Sequence, residues 1–160
     1  MKKVYSATIT PLLADGSLDE LGLRKIFERN IRHNLTGVFL LGSMGEWGSF
    51  SDKFKLNLVA KASEIAAERL ELLVGINATS LNLSLQLMRS YKQFSFDSFV
   101  YMLPARTSAL NPVKSVLNIL DSADRPVYYY HCPPNNKHNL NLEQFAEIMK
   151  HPNLRGIKNS

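Results

Sequence analysis

The sequence has little of what defines several common protein classes. Its 160 residues include one cysteine, Cys132, which excludes an internal disulfide framework and any zinc or iron–sulfur site built from several cysteines. The four histidines show no short ligand spacing such as HExxH, so we expect no metal. The longest apolar runs, such as residues 38–41, are far too short to span a membrane, and no apolar signal segment follows Lys2-Lys3. We therefore expect a soluble, cytoplasmic protein without a membrane partner.

The charge balance is also modest. The chain has 19 basic and 14 acidic residues, a formal net charge of +5, and the basic residues are scattered through helical segments. A nucleic-acid partner is therefore not expected. Hydrophobic residues make up 45% and charged residues 21%, which is typical of a globular chain that buries a core. At about 150 residues per domain, the length predicts one domain or one long piece of a larger one.

Short apolar runs alternate with longer amphipathic segments, a pattern typical of parallel strands joined by helices. Strands are predicted at 4–9, 37–41, 72–76, 99–103, 127–130 and 154–158. Helices are predicted at 18–33, from about Ser51, at 80–91, after the Asn111-Pro112 cap and at 141–149, with a polar loop at 131–139. Two architectures fit, a doubly wound open sheet and a (β/α)8 barrel cut short after strand six.

Both architectures bind ligands at the carboxyl ends of their strands, and three places there carry candidate chemistry. The first follows strand two, where Gly42 and Gly45 flank Ser43 and Met44. Backbone N–H groups and the Ser43 hydroxyl could hold a carboxylate or phosphate there. The alternative is a tight turn in which glycine supplies a positive φ.

The second place ends strand five, at residues 128–133. Tyr128 and Tyr130 are expected on one face of the strand and Tyr129 on the other, so one hydroxyl could relay protons, or all three rings could fill the core. His131 and Cys132 point apart on an extended segment, which disfavours a thiol–imidazole pair.

The third place is Lys158, which ends strand six. A lysine in a desolvated pocket favours its neutral amine, which can attack a ketone. The alternative is a solvated lysine at a fraying strand end.

Taken together, these segments resemble one family. The motifs, in chain order, are Thr10-Pro11, Asp15-Gly16-Ser17, Gly42-Ser43-Met44-Gly45-Glu46, Tyr130-His131-Cys132-Pro133 and Gly156-Ile157-Lys158. Their order and spacing, including the 28 residues from Tyr130 to Lys158, resemble the dihydrodipicolinate synthase / N-acetylneuraminate lyase family over the whole chain. The resemblance implies a (β/α)8 barrel, of which residues 1–160 are the incomplete N-terminal part, and a homo-oligomer, usually a homotetramer, when full length.

The resemblance also implies class I aldolase chemistry on pyruvate without a metal or organic cofactor. Lys158 resembles the amine that forms the imine with a 2-oxo acid, and Tyr130 resembles the phenol that shuttles protons. Ser43, with the N–H groups of Met44 and Gly45, resembles the cradle of the pyruvate carboxylate.

Departures from the family pattern bear on the substrate. Dihydrodipicolinate synthases carry an arginine five residues after the tyrosine, where this chain has Asn135, and a tyrosine pair after strand four that residues 103–106 lack. The segment Tyr128-Tyr129-Tyr130-His131 instead resembles the Tyr-Tyr-Tyr-His segment of animal-type N-acetylneuraminate lyases. Met44 replaces the usual threonine and removes one hydroxyl from the carboxylate site.

We therefore expect a carbon–carbon lyase that converts a 2-oxo sugar acid to pyruvate plus an aldehyde, or the reverse. The alternatives are dihydrodipicolinate synthase, another 2-keto-3-deoxy sugar acid aldolase, and a non-catalytic chain.

Overall fold

The computed structural model describes residues 3–105 and 111–160 of the chain. Strands and helices alternate through these ranges, as the hydrophobic periodicity predicts. The strands are β1 (Tyr5–Ala7), β2 (Gly37–Leu40), β3 (Glu71–Gly75), β4 (Ser98–Tyr101), β5 (Val127–His131) and β6 (Leu154–Asn159). The helices are α1 (Glu20–Arg32), α2 (Asp52–Ala66), α3 (Leu81–Tyr91), α4 (Pro112–Ser122), α5 (Pro133–Asn136) and α6 (Leu142–Ile148).

The order of the strands confirms the (β/α)8 barrel that the family resemblance implies, of the two architectures that fit the periodicity. The sheet is parallel, and its strands follow one another in chain order from β1 to β6. A doubly wound sheet reverses its order at a switch point, as in 3-2-1-4-5-6, whereas a (β/α)8 barrel adds each strand beside the previous one. The fold is therefore the first six strands of a (β/α)8 barrel, with their helices.

The chain divides into two compact units, and the first comprises residues 1–75 with 93–97. Its helices begin at side-chain caps: Asp19 accepts from the Gly22 N–H and Ser51 accepts from the Phe54 N–H. The predicted inward face of α2 is buried, and every residue of β2 is buried. The buried α2 residues that the periodicity predicts are Leu58, Ala62, Ile65 and Ala66. Burial of β2 along its whole length is typical of a parallel strand covered on both faces.

The second unit comprises residues 76–92 and 98–160. Asn111 caps α4 with Pro112 in its first turn, as predicted, and Asn141 forms a reciprocal capping box with Gln144 at α6. The predicted polar loop at 131–139 contains one further element, the short helix α5. Two prolines in its first turn have a backbone angle that suits a helix start, and Lys137 ends it in the left-handed region at φ 60°.

Several strands are shorter than the apolar runs that predict them. The run at 99–103 continues past β4, but the Met102 N–H donates to the side-chain oxygen of Asn77, at 2.9 Å, instead of to a strand. At the start of β1, the Val4 N–H donates to the Thr36 hydroxyl. A side-chain acceptor thus takes the backbone donor just before β1 and just after β4, inside the apolar runs.

The longest of the described helices, α2, has 15 residues, and none of them could carry the chain through a lipid bilayer.

Candidate active site

The first group of predicted site residues forms a hydrogen-bonded turn directly after β2. The Gly45 N–H donates to the Gly42 carbonyl at 3.1 Å, and the Glu46 N–H donates to the Ser43 carbonyl at 3.2 Å. A 3-10 turn over Trp47–Ser49 then leads to the cap of α2. These bonds fold the backbone tightly enough that Ser43 and Met44 are exposed at its tip, with Met44 61% exposed.

The two glycines of this turn are required by close approach and not by a positive φ. A Cβ on residue 42 would lie 2.6 Å from a ring carbon of Phe39. A Cβ on residue 45 would lie 3.1 Å from both the Leu41 nitrogen and the Thr8 carbonyl oxygen. Gly16 is the glycine with a positive φ in the described residues, so the alternative in which Gly42 or Gly45 supplies a positive φ is wrong.

The turn distinguishes the two backbone N–H groups that the resemblance assigns to a carboxylate. The Gly45 N–H already donates within the turn. Within residues 3–105 and 111–160, no acceptor is found for the Met44 N–H. Of the two predicted N–H donors, the one at Met44 therefore remains for an anion.

Thr10, three residues after the end of β1, supports the same turn. Its hydroxyl donates to the Gly45 carbonyl at 2.8 Å, across 35 residues of sequence. In the sequence, Thr10 appears only as part of a family motif, and its spacing gives no sign of this contact. The structure therefore explains the motif as a support for the glycine turn.

The second group lies on β5 and β6, where the structure brings Tyr130 and Lys158 together. The two residues are directly paired in the parallel register. The Lys158 Nζ lies 3.8 Å from the centroid of the Tyr130 ring and donates to the Ser160 hydroxyl at 2.6 Å. Tyr130 is 5% exposed, and Lys158 is half-buried in the described residues. A cation over an aromatic face is attractive, so this contact favours one lysine position.

A β-bulge creates that pairing. Val127 pairs with Leu154, but Tyr128 pairs with Gly156, so Arg155 is an extra residue in β6. Without this offset, Tyr130 would face Ile157, because a one-residue slip exchanges the faces of a strand. Gly156 suits this register, since a Cβ there would lie 3.1 Å from the Tyr128 ring. Sequence reasoning missed the bulge, for which the glycine is the one available signal.

The alternation of the three tyrosines is confirmed. Tyr129 faces α6, with its ring centroid 6.4 Å from that of Phe145, on the face opposite the Tyr130 ring. It is fully buried, as is Tyr101, its partner in β4. Burial raises the pKa of Tyr101 to about 12, partly offset by its hydrogen bond with the Ser115 hydroxyl, and burial also raises the pKa of Tyr129. Tyr129 and Tyr101 therefore belong to the core.

The remaining predicted positions are placed as follows. Cys132 is buried, and the neighbouring His131 ring contacts Asn159 and Phe145, which agrees with the argument against a thiol–imidazole pair. Asn135 lies exposed on α5. The segment at 103–106 is described as far as residue 105, and Arg106 lies outside the described residues. No three histidine, cysteine or acidic side chains come together as metal ligands in the described ranges.

Ser43, Met44 and Gly45 lie in the first unit, and Tyr130 and Lys158 lie in the second. Each group follows or ends a parallel strand at its carboxyl end, where (β/α)8 barrels carry their functional residues. The fold and these positions define the class of protein, an α/β chain of the (β/α)8 barrel type. Within that class, the chain belongs to the Dihydrodipicolinate synthetase family, whose model matches residues 1–160.

The relatives carry two different functional names. A 4-hydroxy-tetrahydrodipicolinate synthase of Chlamydia caviae is 31% identical over 160 residues, which are 99% of this chain and 55% of that protein. An N-acetylneuraminate lyase of Pasteurella multocida is 27% identical, again over 99% of this chain and 55% of that protein. The chain thus spans about half the length of these relatives.

Among solved structures, the dihydrodipicolinate synthase from Bacteroides thetaiotaomicron matches with a TM-score of 0.90 at 28% identity. The match covers 99% of this chain and 54% of that one. This agreement confirms the predicted fold along nearly the whole chain.

Proposed function

We propose that the chain carries the imine-forming part of a pyruvate-dependent carbon–carbon lyase. The observation that supports this most directly is the pairing of Lys158 with Tyr130 across β5 and β6, with the Nζ 3.8 Å from the ring centroid. An amine and a phenol in register at the carboxyl ends of two barrel strands are the two groups that imine chemistry on a 2-oxo acid needs.

In the proposed reaction, the neutral Lys158 amine attacks the keto carbon of the 2-oxo acid. The resulting carbinolamine loses water, and the protonated imine accepts the electron pair of the breaking C3–C4 bond. Tyr130 gives a proton to the carbinolamine hydroxyl that leaves as water, and it takes the proton of the C4 hydroxyl as the C3–C4 bond breaks. The C4 oxygen becomes the carbonyl of the departing aldehyde, and the enamine left on Lys158 takes a proton at C3 to become the imine of pyruvate. Hydrolysis of that imine returns pyruvate and the free lysine. No metal or organic cofactor is required by this sequence of steps.

The carboxylate of the substrate is proposed to bind Ser43 and the backbone N–H of Met44. The turn exposes both residues, and the Met44 N–H has no acceptor in the described ranges. Oriented backbone N–H groups in a tight turn favour an anion. The Gly45 N–H serves the turn itself, so its proposed role is to shape the cradle.

The proposed substrate is an N-acetylneuraminate-like 2-oxo sugar acid. Asn135 lies exposed on α5, where a dihydrodipicolinate synthase is expected to present an arginine. An amide at that position cannot form the bidentate pair that arginine makes with a second carboxylate. Dihydrodipicolinate synthase activity remains the second candidate because the Chlamydia caviae relative carries that function in its name.

Mass spectrometry after incubation with pyruvate and sodium borohydride tests the central step. Reduction of the imine adds one pyruvic acid less one oxygen atom, and we expect peptide mapping to place it on Lys158. Lys158→Arg is the matched control, since it keeps a cation near Tyr130 but cannot form the imine. A folded wild-type chain with no adduct would contradict the proposal, and so would an unchanged adduct in Lys158→Arg.

The substrate class is tested separately with a panel of aldehydes in the condensation direction. We expect N-acetylmannosamine-like sugars to be consumed with pyruvate in preference to aspartate semialdehyde. Preference for the semialdehyde would select the second candidate.

A further inference from the structure

His131 is a buried residue at the end of β5, and the proposed chemistry does not use its side chain. It follows Tyr130 directly and pairs in register with Asn159, which follows Lys158. The side chain is 6% exposed. The His131–Asn159 pair is therefore one step beyond the Tyr130–Lys158 pair on the same two strands.

Both ring nitrogens of His131 have partners. The Leu140 N–H donates to Nε2 at 3.4 Å, so Nε2 acts as the acceptor of the neutral ring. The proton of that tautomer is on Nδ1, which donates to the side-chain oxygen of Asn159 at 2.8 Å. Histidine can make this donor and acceptor pair only as one neutral tautomer, so the two contacts together select it.

The ring cannot easily leave this position. Its edge packs against Phe145 of α6, with the ring centroids 5.0 Å apart and the planes at 79°. The backbone carbonyl of His131 also accepts from the Ser160 N–H at 3.1 Å. Residues 159 and 160 are thus held to His131 by one side-chain and one backbone hydrogen bond, directly after Lys158.

We propose that His131, acting through Asn159, is a positioning residue that keeps Lys158 over the Tyr130 ring. The hydrogen bond between His131 and Asn159 adds a side-chain link to the backbone pairing of β5 and β6, directly after Lys158. Fixing Asn159 fixes the direction in which the preceding Cα–Cβ bond of Lys158 points, because successive side chains alternate along a strand. The catalytic consequence of this inference rests on the proposed function, but the placement of Lys158 does not.

Two variants separate the two hydrogen bonds of the ring. His131→Asn keeps an N–H donor for Asn159 and loses the Leu140 contact, whereas His131→Leu loses both. An effect that the two variants share belongs to the packing of the 132–140 segment. An effect confined to His131→Leu belongs to the link with Asn159.

The first readout does not depend on activity. The protons on the carbon next to the Lys158 Nζ should show an upfield ring-current shift in NMR, because the Nζ lies over the face of Tyr130. Lys158→Arg identifies the signal by its disappearance. We expect the shifted signal in the wild type and in His131→Asn, and its loss in His131→Leu.

The second readout is the rate of pyruvate trapping by borohydride. We expect His131→Asn to react like the wild type and His131→Leu to lose on the order of tenfold or more, as expected for a misplaced reacting group. If the wild type shows the shifted NMR signal but forms no adduct, the proposed function is contradicted. The NMR signals of the variants then still test whether His131 positions Lys158. The inference is overturned if the wild type lacks the shifted signal, or if His131→Leu keeps both signal and rate. Equal losses in the two variants would also overturn it.

A second pair of variants serves if His131→Leu does not fold. Asn159 is exposed, so its replacement leaves the core intact. Asn159→Asp keeps the acceptor for Nδ1 and should keep the shifted signal, whereas Asn159→Leu removes the acceptor and should lose it. Retention of the signal in Asn159→Leu would contradict the inference.

Discussion

The turn after β2 and the strand pair β5–β6 both carry candidate site residues, yet they are built in different ways. The turn is made by the backbone: two buried glycines allow close approach, and the side chains of Ser43 and Met44 are left exposed at its tip. On the strand pair, side chains form the candidate site, with the Lys158 Nζ over the Tyr130 ring. In the strand pair, a bulge in β6 decides which residue faces the tyrosine.

The difference predicts which changes each region tolerates. The turn should accept new side chains at its tip but no Cβ at its glycines, because the glycines meet a ring or the backbone. The strand pair should be sensitive to its side chains and to its register, because a slip of one residue replaces Lys158 by a neighbour. The experiments below test this contrast, from the largest expected effect to the smallest.

Alkaline pH should have the largest effect, and it acts beside the strand pair, where Tyr101 of β4 pairs with Tyr129 of β5. The pKa of Tyr101 is about 12 in the folded chain against 10.0 as its ordinary value, so unfolding favours loss of its proton. Its contribution is complete below pH 10.0 and is lost as pH rises through about 12, a change in the free energy of unfolding of roughly 3 kcal/mol. Urea denaturation at several alkaline pH values measures this slope, and Tyr101→Phe should flatten it. An equally steep slope in Tyr101→Phe would contradict the assignment.

Gly42→Ala should damage the glycine turn. Its Cβ would lie 2.6 Å from the Phe39 ring, and such overpacking costs about 1–3 kcal/mol of unfolding free energy. Gly48→Ala is the matched control, because a Cβ on residue 48 meets nothing within 4 Å. Thermal melting of both variants checks the prediction. Equal melting temperatures would show that the close approach at Gly42 does not matter.

Thr10→Val should loosen the same turn with little change of shape. The substitution removes the hydroxyl that donates to the Gly45 carbonyl and is expected to cost about 1 kcal/mol. Thr10→Ser keeps the donor and should retain most of that stability. Hydrogen exchange of the Gly45 and Glu46 N–H groups gives a local readout, with faster exchange expected in Thr10→Val alone.

Met44→Thr should hardly change stability, because the side chain is 61% exposed and substitutions at such sites usually stay within about 0.5 kcal/mol. It restores the hydroxyl that the family usually presents at the proposed carboxylate site. We therefore expect faster borohydride trapping at low pyruvate concentration, with Met44→Val as the control of similar shape. Equal rates in the two variants would argue against a carboxylate at this turn.

Much of the fold can be predicted from local patterns. The caps at Ser51, Asn111 and Asn141 and the buried face of α2 follow from short-range chemistry, and the structure confirms them. The helix α5 is missed because its polar residues do not show helical periodicity. The start of β1 and the end of β4 are missed because side chains distant in sequence, Thr36 and Asn77, accept from the backbone N–H groups there.

For the candidate site, the sequence predicts which residues take part but not the contacts that support them. The order of motifs names Lys158, Tyr130 and Ser43 as candidates, because residue type and spacing are properties of the sequence. It gives no sign that Thr10 supports Gly45 or that the Gly45 N–H is already used within the turn. These contacts depend on which elements meet in the folded chain.

The sequence by itself determined the alternation of strands and helices, the capped helix starts and the residues available for chemistry, since each depends on neighbours a few positions apart. Hydrophobic periodicity left the barrel and the doubly wound sheet open, the order of the family motifs indicated the barrel, and the tertiary structure shows the strand order that makes it one. It also decided, through the bulge at Arg155, that Lys158 faces Tyr130. Strand order and register are set by packing between segments far apart in sequence, and no local pattern records them.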